Sequence, residues 1–234
     1  VIELLLDNDA SIETRGVWTH TPLHLAAWAG QREVAEALLN RGADIETKTG
    51  QGMTPLEVTG YENQFAVAEL LVKCGANVNS ADGLGMVLHN NLAFVKLLVE
   101  HGADVNLPKD WGRSPLWYAA KYSPVELTAY LLVHGANVNE PDDELKTPLH
   151  AAMPSSEKVE LLISHGADLN VTDNKGATPL HCAVSEEDTA CIELLISHGA
   201  DLNAKDKQGK TPLKWAQEVK QEEVVELLRG HGAV

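Results

Sequence analysis

Ten histidines and three cysteines are the residues of this 234-residue chain best suited to metal binding or nucleophilic chemistry. Zinc sites need Cys and His at short fixed spacings, and a nucleophile needs a base and oxyanion donors beside it. Cys74, Cys182 and Cys191 form no CxxC pair. Nine of the ten histidines fall at two recurring positions. His24, His89, His150 and His181 follow the Leu of a Thr-Pro-Leu phrase or its equivalent, whereas His101, His134, His165, His198 and His231 precede Gly-Ala. A histidine repeating in step with a phrase reads as structural, a ring nitrogen tying a helix start or end to nearby backbone. His20 is the exception, at a variable and exposed position. Cys182 and Cys191 match the positions of Leu25 and Val34 and are expected in the core, while Cys74 replaces the residue before Gly-Ala. Gly83-Leu84-Gly85 lacks the flanking strand and helix of a phosphate loop, and the sequon Asn170-Val171-Thr172 reads as turn sequence. The chain is therefore expected to carry no catalytic residue, no metal and no cofactor.

The recurring positions imply repeated elements. Gly-Ala-Asp/Asn occurs at Gly42, Gly75, Gly102, Gly135, Gly166 and Gly199, with Gly232-Ala233 and a degenerate Asp9-Ala10, at spacings of 33, 33, 27, 33, 31, 33 and 33. Thr/Ser-Pro-Leu keeps the same period, beginning at Thr21, Thr54, Ser114, Thr147, Thr178 and Thr211. The hydroxyl caps a helix and the proline takes its first position, where a missing N–H costs nothing. A second amphipathic stretch follows, such as Val34–Leu39 or Ile192–Ile196, and a left-handed glycine ends it. Asp173-Asn174-Lys175-Gly176 is typical of the exposed turn before the next copy.

These phrases closely resemble the ankyrin repeat, over essentially the whole chain. The resemblance implies an all-α repeat solenoid, an ankyrin-repeat array of stacked antiparallel helix pairs with projecting β-turn loops and a concave surface. Its expected boundaries are a partial repeat at 1–14, then 15–47, 48–80, a shortened 81–107, 108–140, a shortened 141–171, 172–204 and a capping repeat at 205–234, about seven repeats plus the partial one. Leu88 and Gly102 enclose a stunted first helix, and Ala151–Ser156 a tightened helix–helix turn. Val1, Leu5 and Leu6 start the chain inside a second helix, as if cut from a longer array, and Lys214–Glu223 make a polar last copy. Asn106, Asn170 and Asn203, each with Asp two residues and Leu eight residues earlier, are similar to the site used by the oxygen-sensing asparaginyl hydroxylase, although such asparagines also serve as turn residues.

A formal charge of −16 repels phosphate backbones, so nucleic acid and anionic membranes are disfavoured and a basic or neutral partner is favoured. The acidity belongs to the body, since residues 205–234 hold six Lys/Arg against five Asp/Glu. Sparse cysteine use and the lack of a long apolar run or leader point to an intracellular, cytoplasmic module, monomeric when isolated.

In this fold, positions free of packing duty are the turn tips and the open face of each first helix. Of eleven aromatics, Trp18 and Trp111 take tips, and Trp28, Tyr61 and Tyr122 end first helices facing the groove. Met53 and Leu84 join them, with His20, Arg113 and Lys121 alongside. Trp, Tyr and Arg are enriched at binding hot spots, so a protein or peptide partner is expected on the concave face from Trp18 to Tyr122. Trp117, Tyr118 and Trp215 are expected inside, and Asp142, Asp143, Glu144, Glu186, Glu187 and Asp188 form an acidic later surface. The expected function is a protein–protein adaptor or scaffold. The alternative is a substrate-selecting or regulatory segment of a larger ubiquitin-ligase adaptor, channel or host-directed effector.

Overall fold

Six Thr-Pro or Ser-Pro phrases each open a helix. The computed structural model describes residues 11–80 and 91–234, in which there are thirteen α-helices and no strand. One compact unit, Val1–Asp104, holds α1 (Pro22–Trp28), α2 (Arg32–Asn40), α3 (Pro55–Tyr61), α4 (Phe65–Lys73) and α5 (Leu92–Glu100). The other, Val105–Val234, holds α6 (Pro115–Tyr122), α7 (Val125–Val133), α8 (Pro148–Ala151), α9 (Ser156–Ser164), α10 (Pro179–Ser185), α11 (Thr189–Ser197), α12 (Pro212–Glu218) and α13 (Glu222–Gly230). The expectations on Val1, Leu5, Leu6, Leu84 and the Met86–His89 stretch lie outside the described residues.

Proline stands at the start of α1, α3, α6, α8, α10 and α12, and in α3, α6 and α12 the preceding hydroxyl accepts the N–H three residues on, from Glu57, Trp117 and Lys214. These caps satisfy N–H groups that the helix itself leaves orphaned. Each second helix spans nine residues and buries an i, i+3 or i+4 pair, Ala35 and Leu38 in α2, Val159 and Leu162 in α9, Val224 and Leu228 in α13. Termination is shared as well. After α11, Gly199 takes φ +91°, its N–H reaches Ile196 O and the Ala200 N–H reaches Leu195 O, both at 3.0 Å. A Cβ at Gly199 would meet no neighbouring atom, but a side chain strains that left-handed backbone, which is why glycine stands there.

In the first unit α1 packs on α2 and α3, α4 covers α2 and α3, and α5 packs on α4. Leu23, Leu38, Leu56, Leu71, Phe94 and Leu98 are almost wholly buried between them. The second unit repeats the scheme: α6 on α7 and α8, α8 on α9 and α10, α10 on α11 and α12, and α12 on α13, with Leu116, Leu131, Leu149, Leu162, Leu180 and Leu195 inside. Each such leucine is worth about 2–5 kcal/mol against truncation to alanine.

Between copies the turn stems are stitched by side-chain carbonyls. Asn106 Oδ1 accepts the Asn137 N–H at 2.7 Å, Asn139 Oδ1 that of Asp168 at 2.9 Å, Asn170 Oδ1 that of Asp201 at 2.8 Å and Asn203 Oδ1 that of Val234 at 3.0 Å. In the first unit Glu13 and Glu46 reach Asp44 and Asn77 in the same way, and Asn79 reaches Asp104.

Candidate partner-binding site

The helix-start histidines join one copy to the next. Thr21, Thr147 and Thr178 each donate a backbone N–H to the Nδ1 of the histidine three residues on, at 3.2 Å. That leaves the proton on Nε2, which donates to Met53 O from His24, to Ala177 O from His150 and to Lys210 O from His181. Burial holds all three rings below the ordinary histidine range, against the opposing pull of those carbonyls. Glu57 replaces histidine in α3, taking the Thr54 N–H at 2.6 Å and the Ser80 hydroxyl at 2.8 Å. The helix-end histidines use the other tautomer. Nδ1–H of His101, His134, His165, His198 and His231 donates to the carbonyl four residues back, at 2.8–2.9 Å. No group of three or more His, Cys, Asp or Glu among the described residues is placed to hold a metal.

The turns share one hairpin bond but differ in their anchor. Gly16, Thr49, Lys109, Asp142, Asp173 and Asp206 each donate a backbone N–H to the carbonyl four residues on. Asp142, Asp173 and Asp206 are buried, and one carboxylate oxygen of each accepts the N–H groups two and four residues later. Thr49 Oγ1 does the same for Gln51 and Met53. Gly16 and Lys109 have no such acceptor. In those two turns tryptophan itself takes the left-handed conformation, at φ +66° in Trp18 and +58° in Trp111, as does the residue after it. A bulky residue there costs on the order of 1–2 kcal/mol.

In the first unit Trp18 is 74% exposed and Trp28 57% exposed. With Gly16, His20 and Leu25 they line an apolar cleft of about 500 Å³. His20, expected at an exposed position, is half-buried and stands edge-on to His24 at 5.8 Å. Tyr61 and Phe65 are exposed at the end of α3 and the start of α4, and Met53 is half-buried with its carbonyl on His24.

In the second unit Trp111 is 66% and Tyr122 55% exposed. Arg113 is mostly buried: its guanidinium lies 4.8 Å from the Trp111 ring centre and 4.1 Å from that of Trp117, with Nε 3.5 Å from Asp142 Oδ2. It props the exposed indole on the buried one, a cation–π contact worth roughly 0.5–2 kcal/mol. Tyr122 stacks on Tyr118 at 6.4 Å. Lys121 is exposed, and beside it the buried Lys158 ammonium donates to Ala119 O and Ala120 O at the end of α6. Burial and then Lys121 lower the Lys158 pKa. Arg113, Trp117, Lys121, Tyr122, Lys175 and Trp215 border a groove of about 390 Å³.

Four expectations need correction. Leu25 is exposed, Cys182 is half-buried and Trp215 is half-buried, with its indole N–H on Asp206 Oδ2 at 2.9 Å. All three hold the fourth position of a first helix, at the groove edge, where a side chain is covered only if its neighbours reach across. Val58, Tyr118 and Ala151 hold the same position and are buried. The spacing of Leu25 from Trp28 was the available signal, since i and i+3 share a helix face. The fourth correction is Asp142, which is buried in turn-making and contributes no open acidic surface. Cys191 is buried as expected; burial pushes the Cys182 thiol up to about 11 and raises that of Cys191 as well, which disfavours the thiolate at both. Trp117 and Tyr118 are buried as expected. Asn106 is half-exposed, Asn170 and Asn203 are exposed, and each accepts a stitch from the following copy.

Helix pairs capped, ended and tied by the same residues copy after copy define a helical repeat protein. The family model for ankyrin repeats in three copies matches residues 1–82, 85–173 and 154–234, and the chain belongs to that family. No curated protein matches the chain. Ankyrin repeats are in general protein–protein interaction modules of a non-enzymatic fold. No helix of the described residues is long and apolar enough to cross a membrane.

Proposed function

We propose that the chain is an adaptor or scaffold segment that holds a protein or peptide partner on the open face of its first helices and turn tips. The observation that carries this reading is the cost of the two exposed tryptophan tips. Trp18 and Trp111 occupy left-handed backbone that glycine or asparagine fills without strain, and both project into solvent. Residues that add neither a good turn nor a packed core have a reason elsewhere, and large aromatics are the usual anchors of an interface. Trp28, Tyr61, His20 and Met53 extend the patch in the first unit, and Tyr122, Lys121 and the propped Arg113 extend it in the second. Leu84 completes the expected set from outside the described residues.

Affinity capture from the native cell tests this, with the wild-type chain run beside a Trp18→Ala, Trp28→Ala, Trp111→Ala variant of matched circular dichroism. A partner lost from the variant supports the proposal. Equal recovery of the same partner removes the aromatic face from consideration.

A further inference from the structure

We propose that the Trp18–Leu25–Trp28 cleft seats an apolar side chain of a partner peptide whose neighbouring aspartate or glutamate pairs with Arg15 and Lys48. This deepens the interface reading above and rests on it.

The apolar half of the proposal follows from the cleft. Trp18, Leu25 and Trp28 are all more than half exposed and converge on a space of about 500 Å³ whose one ionisable lining residue, among the described residues, is His20. An apolar anchor there would be desolvated by two indoles, the setting in which a single side chain contributes most to affinity.

The acidic half follows from two cations. In a chain with 34 Asp and Glu against 18 Lys and Arg, acidic partners are plentiful. Arg32 and Lys73 share Glu69. Among the described residues Arg15 meets only neutral acceptors: Thr19 O at 3.4 Å, Lys48 O at 2.9 Å and Thr47 Oγ1 at 3.3 Å. A guanidinium has five N–H donors, so two remain open in a group already held in place. Lys48 is exposed, and its ammonium has no carboxylate partner among the described residues. The arginine grips the carbonyl of Thr19, between the two cleft residues Trp18 and His20, and also the backbone carbonyl of Lys48, which makes Lys48 its neighbour. Two neighbouring cations without a carboxylate partner among the described residues are thus joined, through the Thr19 carbonyl, to the segment that carries Trp18 and His20.

The formal charge of −16 does not oppose this pairing at contact range. At physiological ionic strength charges beyond about 8 Å are screened, whereas a carboxylate against two cations on a partly desolvated rim is screened far less. The whole-chain field slows the approach of an acidic peptide, and the local pair holds it.

A randomised peptide library with one fixed leucine or phenylalanine, selected on the full chain, supplies the probes. Affinities of the recovered peptides are then read by fluorescence polarisation. The expected result is enrichment of Asp or Glu next to the fixed residue, loss of binding in Trp18→Ala and Trp28→Ala, and affinity lowered about tenfold by Lys48→Gln. Arg15→Gln is expected to act in the same direction; Lys48→Gln is the cleaner variant because no ammonium contact supports the fold. Trp-dependent peptides without acidic enrichment, or indifferent to Lys48→Gln, overturn the inference and leave the interface reading standing. Peptides indifferent to both tryptophans, or no recovered peptide at all, overturn both. Preference for phosphoserine over Asp and Glu in a matched set also overturns the carboxylate assignment.

Discussion

The turns ending in Gly176 and Gly209 and those tipped by Trp18 and Trp111 close with the same backbone bond, yet they are built from opposite materials. In the first pair a buried aspartate gathers two N–H groups, glycine takes the left-handed position and a polar residue, Lys175 or Gln208, stands at the tip. In the second pair the anchor is Gly16 or Lys109, and the tip is tryptophan in strained backbone. The first arrangement follows every local preference of a turn. The second departs from them at two positions at once, and such departures concentrate where a surface does something besides fold. Leu145 falls between the classes, with an aspartate anchor but a left-handed leucine at φ +61°.

The comparison is broken most severely at Gly176. Its φ is +81°, and a Cβ there would meet Lys207 N at 2.7 Å, where the neighbouring turn donates to Lys175 O. Gly176→Val is expected to lower stability by about 2–4 kcal/mol in urea denaturation, combining backbone strain with a clash against main chain that has no flexible end to move.

A middle-sized effect is expected at Asp206. Burial pushes its carboxyl up, but the N–H groups of Lys210 and Gln208 and the Trp215 indole outweigh burial and hold the pKa below the usual aspartate value. The unfolded chain therefore takes up this proton first as pH falls, so the stabilisation is complete above about pH 4 and is lost as pH drops through the folded pKa. Asp206→Asn is expected to cost about 1–3 kcal/mol at neutral pH and to flatten the acid limb of the stability curve. An unchanged acid limb would show that the aspartate anchor is not what distinguishes these turns.

Leu145→Gly sharpens the comparison from the other side. Relief of left-handed strain is expected to raise stability by about 0.5–1 kcal/mol, read as a higher urea midpoint at constant slope. A loss instead would mean that the half-exposed leucine packs well enough to justify its backbone.

What could be read in the sequence was whatever repeats. Thr-Pro marks helix starts and Gly-Ala marks helix ends because capping and left-handed termination are local and each is decided within a few residues. The open positions of Trp18, Trp28, Trp111 and Tyr122 were readable for the same reason. Burial at the fourth position of a first helix was not, since it depends on how the neighbouring side chains fold over it: Trp117 and Tyr122 pack on Tyr118, whereas Leu25 stays exposed. Nor did the sequence disclose that Arg113 lies between two indoles, or that Arg15 spends its donors on neutral acceptors. The indoles are close to Arg113 in sequence, but Asp142, which holds its Nε, and the Thr47 and Lys48 acceptors of Arg15 stand about thirty positions away, where one turn meets the next.

The stem stitches bear on how such a chain can change length. From Asn106 to Asn137 the bond spans 31 residues, from Asn139 to Asp168 it spans 29, and from Asn79 to Asp104 only 25. The donor–acceptor distance stays within 2.7–2.9 Å across all three. Residues lost between the stems are thus absorbed inside a copy without slackening the joint to its neighbour. A copy can thus differ in length between its stems and keep the same bond to the copy that follows.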